Sequence, residues 1–96
     1  MELFIFARFH ARAGKEAELA GVLGKQVPVT RTEPGCLMID AYGSTRDPRL
    51  FFIHSRWTDE AAFEVHANLP NTLAFVERAE ALIDHPLDVT RSRPLG

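Results

Sequence analysis

Phe51-Phe52-Ile53-His54-Ser55-Arg56-Trp57-Thr58-Asp59-Glu60-Ala61-Ala62-Phe63-Glu64-Val65-His66 is the stretch around which this chain is organised. Its first half is aromatic and β-branched and predicts a strand ending at Trp57. Its second half predicts a helix, with Thr58 placed to cap the first turn and Asp59 and Glu60 putting negative charge at the positive end of the helix dipole. The strand's period of two sets Phe51, Ile53, Ser55 and Trp57 on one face and Phe52, His54 and Arg56 on the other. On the helix, Phe63 and His66 are three apart and share a face. A chain that turns from this strand straight into this helix can bring Trp57 and His66 to one cavity. An indole donor and a titratable imidazole facing an apolar space make a candidate reactive site.

Working outward, Glu2 to Arg12 reads as a first strand in which Leu3, Ile5, Ala7 and Phe9 alternate with Phe4, Phe6, Arg8 and His10. Both faces are largely apolar, so both need cover, and one layer of helices supplies only one. A second copy of the chain is the simplest cover for the other face. Arg8, His10, Phe52, His54 and Arg56 fall on that side and are expected at a partly polar subunit interface.

Gly14 ends the first strand, and Lys15 to Thr32 predicts a helix with Leu19, Val22, Leu23 and Val27 as its apolar stripe. Pro28 predicts a kink or break there, because its ring crowds the carbonyl of Gly24. Glu33-Pro34-Gly35 stops the helix: Pro34 biases Glu33 away from helical angles, and Gly35 permits a positive φ. Cys36 to Tyr42 is a second strand, and Gly43 to Arg49 a polar turn. Leu69-Pro70-Asn71 interrupts the helical run, which resumes with Phe75, Val76, Ala79, Leu82 and Ile83 to about Asp84; Leu87 to Arg93 is the last strand. Strand, helix, strand, strand, helices, strand is the ferredoxin-like split βαβ pattern of an α+β fold, one antiparallel sheet with helices on one face.

The 96 residues are expected to form a single domain, residues 1–96, with a modest core. A net charge of −2 gives no reason to invoke a nucleic-acid or membrane partner. The lone Cys36 excludes an internal disulfide and suits a reducing compartment, and the apolar start Leu3-Phe4-Ile5-Phe6 is broken by Arg8 too soon for a signal peptide or a span. The expected location is the cytoplasm. The histidines His10, His54, His66 and His85 lack close ligand spacing, so no metal site is expected. The glycines form neither a phosphate loop nor a dinucleotide fingerprint, so flavin and nicotinamide have no support.

Together with Glu33-Pro34-Gly35-Cys36-Leu37 and Asp47-Pro48, the opening stretch resembles the antibiotic biosynthesis monooxygenase (ABM) domain family over nearly the whole chain. That family typically shows Glu-Pro-Gly-Cys before its second strand, a strand ending in Glu-x-Trp, and a helix carrying His. Two departures stand out: Ser55 occupies the place of a frequent Glu, and Asn71 that of a frequent second His. The resemblance implies two protomers packed through their open sheet faces as a dimeric α/β barrel.

It also implies oxygenation without any cofactor, since an anthrone or hydroquinone that loses a proton can reduce O₂ itself. The protein then needs a flat apolar pocket, a base or anion stabiliser, and exclusion of water. An imidazole, titrating near about 6.5 when unperturbed, makes His66 the candidate base. Trp57 is the candidate wall and donor to a developing oxyanion. Ile5, Ala7, Ile53, Phe63 and Phe75 are the expected apolar lining for a small or polycyclic aromatic substrate, and Ser55, with no nucleophile elbow around it, serves to widen the pocket.

Each candidate also has a structural reading. His66 can be a helix-face histidine bonded to backbone, and Trp57 a core residue whose N–H is satisfied locally. Three other functions stay open: an isomerase or other non-redox enzyme for a small carbonyl compound, a haem-degrading oxygenase, and a non-catalytic dimeric ligand-binding module. Haem-degrading relatives carry an Asn where this chain has Ala7, which cannot donate a hydrogen bond, and Asn71 through Ala81 offers no His.

Overall fold

In the computed structural model, which describes residues 1–96, the elements run β1 (Leu3–His10), α1 (Glu16–Arg31), β2 (Cys36–Gly43), β3 (Leu50–Trp57), α2 (Glu60–Ala67), α3 (Pro70–Glu80) and β4 (Asp88–Ser92). The strands lie in the order β2-β3-β1-β4, with every neighbouring pair antiparallel. β3 is inserted between β1 and β2, which α1 connects, so the split βαβ arrangement is present.

The inner face of the sheet follows the period of two. Ile5, Ala7 and Phe9 of β1 stand opposite Ser55, Ile53 and Phe51 of β3 and, Phe51 apart, are buried. Leu19, Leu23 and Val27 of α1 and Phe75 and Ala79 of α3 close the core above them. The outer face has no helix against it. There Phe6 and Tyr42 are each 51% exposed and Phe52 38%, while His54 stacks on Phe6 with ring centroids 4.4 Å apart. Arg56 lies 5.0 Å from the Phe4 ring centre and pairs with Glu2.

Three local expectations need correction. α1 runs unbroken through Pro28. Both Pro28 and Gly24 are exposed, so the carbonyl that loses its helical partner faces water, which can satisfy it. The cap of α2 is Asp59, not Thr58: its extended backbone starts the helix one residue later, and its carboxylate accepts from the Ala62 N–H at 2.8 Å. α3 stops at Glu80, and Ile83 instead forms an isolated bridge with Ala11.

His10 is clamped within the chain. Its Nδ1 lies 2.8 Å from Asp84 and its Nε2 3.3 Å from Asp47. The Asp84 carboxyl is held below its usual range chiefly by the hydrogen bond to His10, and that of Asp47 chiefly by the Arg49 backbone N–H. This clamp ties the end of β1 to the loops before β3 and β4.

No helix is long and apolar enough to cross a membrane.

Candidate active site

Between the inner sheet face and the helices lies a cavity of about 330 Å³. Ile5, Ala7, Ile53 and Ser55 form its floor, and Phe63, His66 and Phe75 line it from α2 and α3. All six residues expected to contact substrate therefore reach the same space as His66. Its wall is mostly apolar, and a few polar groups interrupt it, as in small-molecule sites generally.

Trp57 is not part of that lining and is completely buried. The period of two turned it inward correctly, but at the strand end it lies beneath α2. It forms a small core with Ile5 and Phe63, and the His66 ring lies against it with centroids 4.6 Å apart, tilted by 31°. Its indole N–H donates to Ser55 Oγ at 3.0 Å. The expected wall is thus a support under His66, and the expected donor is already engaged by a neighbour.

The chemistry of His66 is set by a residue the sequence reading placed in a helix stop and a family motif but not in the site. Glu33 Oε1 lies 2.6 Å from His66 Nδ1, with the two side chains 9% and 13% exposed. The Thr72 hydroxyl is also near Nδ1, but at 3.5 Å, and it donates to Asn71 Oδ1 at 3.2 Å. Distance makes Glu33 the partner. With Glu33 ionised, its carboxylate can only accept, and Nδ1 carries the proton and donates to it. That leaves the lone pair on Nε2, which makes no hydrogen bond in the chain and is not among its buried unpaired atoms. A carboxylate orienting an imidazole in this way leaves a base ready to take a proton.

Local structure explains how Glu33 arrives there. Its N–H bonds the Thr30 carbonyl at 3.0 Å as α1 ends, and Gly35, at φ +84°, turns the chain towards β2. The Thr58 N–H donates to the Gly35 carbonyl at 2.9 Å, pinning this turn to the end of β3. A Cβ on Gly35 would stand 2.5 Å from that of Ala62, so only glycine lets the turn lie against α2. Ala62 and His66 are one helical turn apart on α2, so Gly35 docks on the first as Glu33 reaches the second.

Several further polar groups were missed. Gln26 and Thr30 line the cavity from α1, where Gln26 donates to the Thr30 hydroxyl at 3.1 Å. They continue the Leu19, Leu23 and Val27 stripe at helical spacing, and extending that stripe would have found them. Thr72 lines it from α3, beside Asn71, which is exposed and does not. Arg91 of β4 closes one side over the Phe63 ring, 5.0 Å from its centre, and pairs with Glu60 and Glu64. Hydrogen bonds to those two carboxylates, that to Glu64 first, hold its pKa above the usual value. Burial, followed by the Glu33 charge, pushes the Cys36 thiol up, which keeps it protonated rather than nucleophilic. No three His, Cys, Asp or Glu side chains converge as a ligand set.

A family model described as "Antibiotic biosynthesis monooxygenase" matches residues 3–78. "Putative monooxygenase YcnE" of Bacillus subtilis (strain 168) is 28% identical over 78 residues, 81% of this chain and 82% of that protein. Among solved structures, Rv0793 from Mycobacterium tuberculosis superposes with a TM-score of 0.92 at 26% identity, covering 100% of this chain and 97% of the other. PA3566 from Pseudomonas aeruginosa gives 0.89 at 30% identity over 99% and 95%. SnoaB, a cofactor-independent oxygenase from Streptomyces nogalater, gives 0.87 at 19% identity over 99% and 94%, which is a likeness of fold.

Proposed function

Since the chain belongs to the antibiotic biosynthesis monooxygenase family, we propose that it oxygenates a small aromatic hydroquinone or related phenol with O₂ and no cofactor. The observation that carries this reading is the buried Glu33–His66 pair beside an apolar cavity of about 330 Å³. Nε2 of His66 takes the phenolic proton, and the electron-rich anion reduces O₂. One oxygen atom enters a ring carbon and the other leaves as water. The substrate supplies all the electrons, so a hydroquinone ends as a hydroxyquinone. SnoaB, named as cofactor-independent, has the same fold, so the scaffold is compatible with such chemistry.

Ligand pockets run from about 300 to 1,000 Å³, so this one lies at the small end and favours one or two fused rings over an anthrone. Oxygen uptake by metal-free protein with 1,4-naphthohydroquinone tests the reading. Saturable uptake above the rate in buffer, with the hydroxyquinone as product, is expected. Uptake no faster than autoxidation would overturn it.

We propose that the site works within a homodimer. Phe6, Phe52 and Tyr42 are exposed together on the outer sheet face, where Arg56 Nε is buried without a partner. A second copy laid on this face would cover them. Phe6→Asp places an unpaired charge there and is expected to give a monomer at micromolar concentration by light scattering. A variant as dimeric as the parent would remove the outer face from the interface.

A further inference from the structure

We propose that the Ser55 hydroxyl is the hydrogen-bond donor for the substrate's oxyanion, set in that role by Trp57. The inference rests on the aromatic-anion chemistry proposed above and assigns hydrogen-bond donation to a residue expected to contact substrate only through its small size.

The direction of the hydrogen bonds carries it. An indole N–H can only donate, whereas a hydroxyl has one proton and two lone pairs. Trp57 is completely buried, and its N–H occupies a lone pair of Ser55 Oγ at 3.0 Å. The Ser55 proton therefore points away from the indole, and no acceptor in the chain takes it. Ser55 is only 3% exposed, yet it lines the cavity, so a ligand there is the acceptor within reach. A hydroxyl that already accepts is a stronger donor, and an apolar surrounding strengthens the bond further.

Most neighbours are otherwise committed. Thr72 donates to Asn71, and Arg91 to Glu60 and Glu64. The Thr30 hydroxyl, which accepts from Gln26, is the other cavity hydroxyl whose proton has no acceptor in the chain. Ser55 is the one that shares an indole with His66. His66 and Ser55 both rest on the one indole, the first against its face and the second on its N–H. A phenol between them can give its proton to the imidazole and leave its oxygen beside the serine. Trp57 thus positions both groups and touches neither the proton nor the substrate.

The test uses two bicyclic probes that need no turnover: 2-hydroxy-1,4-naphthoquinone, bound as its anion, and the neutral 1,4-naphthoquinone. Ser55→Ala is expected to weaken the anion about 10- to 100-fold, the range for losing a hydrogen bond to a charged group, and to leave the neutral probe within a few-fold. Ser55→Cys, similar in size but a weak donor, should behave like Ser55→Ala. Equal losses for both probes would mark Ser55 as a packing residue and overturn the proposal. So would unchanged anion binding in the variants, or a parent protein that does not bind the anion.

The unmodified protein gives an independent readout, because Trp57 is the chain's one tryptophan and supplies a single indole N–H resonance. The anion should shift that resonance as the Trp57–Ser55 bond tightens, and the neutral probe should leave it in place. An unmoved resonance with the anion bound contradicts the relay. Anion binding through Ser55 with no oxygen uptake would keep this inference and defeat the monooxygenase reading.

Discussion

Replacing His66 by alanine is expected to lower turnover of 1,4-naphthohydroquinone by about 10²–10⁴-fold, the usual worth of a positioned general base. The same change also acts on stability. Glu33 is 9% exposed, its Oε2 already has no partner, and Oε1 would lose the one it has. Removing a hydrogen bond to a buried charged group costs about 1.5–3 kcal/mol. His66→Gln separates the two effects, because its amide can still donate towards Glu33 but cannot serve as a base. Its turnover should fall as far as that of the alanine variant, while its melting temperature stays nearer the parent. A glutamine variant that turns over at the parental rate would remove His66 from the chemistry.

The second large effect is on the fold. Gly35→Ala forces an L-residue to φ +84°, a cost of about 1–2 kcal/mol by itself. It also sets a Cβ 2.5 Å from that of Ala62 and 3.0 Å from Thr58 Oγ1, so the turn must lift away from α2. The sum should reach about 3 kcal/mol or more, and at about 4–8 °C per kcal/mol for a domain this small the melting temperature should drop by well over 10 °C. Gly14→Ala is the control: its φ is similar, +82°, but nothing lies within 4 Å of the added carbon. Only the conformational cost applies there. Equal losses in the two variants by thermal unfolding would show that the contact with α2 contributes nothing. Lifting this turn also draws Glu33 away from His66, so Gly35→Ala should lose activity in the protein that remains folded.

What the sequence made legible was whatever depends on periodicity. Alternation along β1 and β3 placed Ile5, Ala7, Ile53 and Ser55 on the inner face, and the spacing of Phe63 and His66 placed both on the side of α2 that meets it. The open outer face was readable from Phe4 and Phe6 for the same reason. Depth was not readable. Period two turns Trp57 inward but does not say that α2 crosses over it, so a buried support was taken for a cavity wall. Contacts distant in sequence were also hidden. Glu33 and His66 are 33 residues apart, and nothing in the local pattern of either announces the other. The Glu-Pro-Gly turn was understood as punctuation and motif, although its glycine lets the turn dock on α2 where the carboxylate meets the histidine. Pro28 misled because the interior-proline rule assumes that the lost hydrogen bond cannot be replaced, and on the exposed side of α1 the freed carbonyl is open to water.

The central claim is that Glu33 holds His66 in the form that leaves Nε2 free to take a proton. Nitrogen-15 NMR of the histidine side chains measures this directly, at a pH where the imidazole is neutral. The account predicts the Nδ1–H tautomer for His66 in the parent, and the loss of that preference in Glu33→Ala. An Nε2–H tautomer would contradict it, because Glu33 would then be the protonated partner donating to Nδ1, and the nitrogen left for a substrate would have no lone pair.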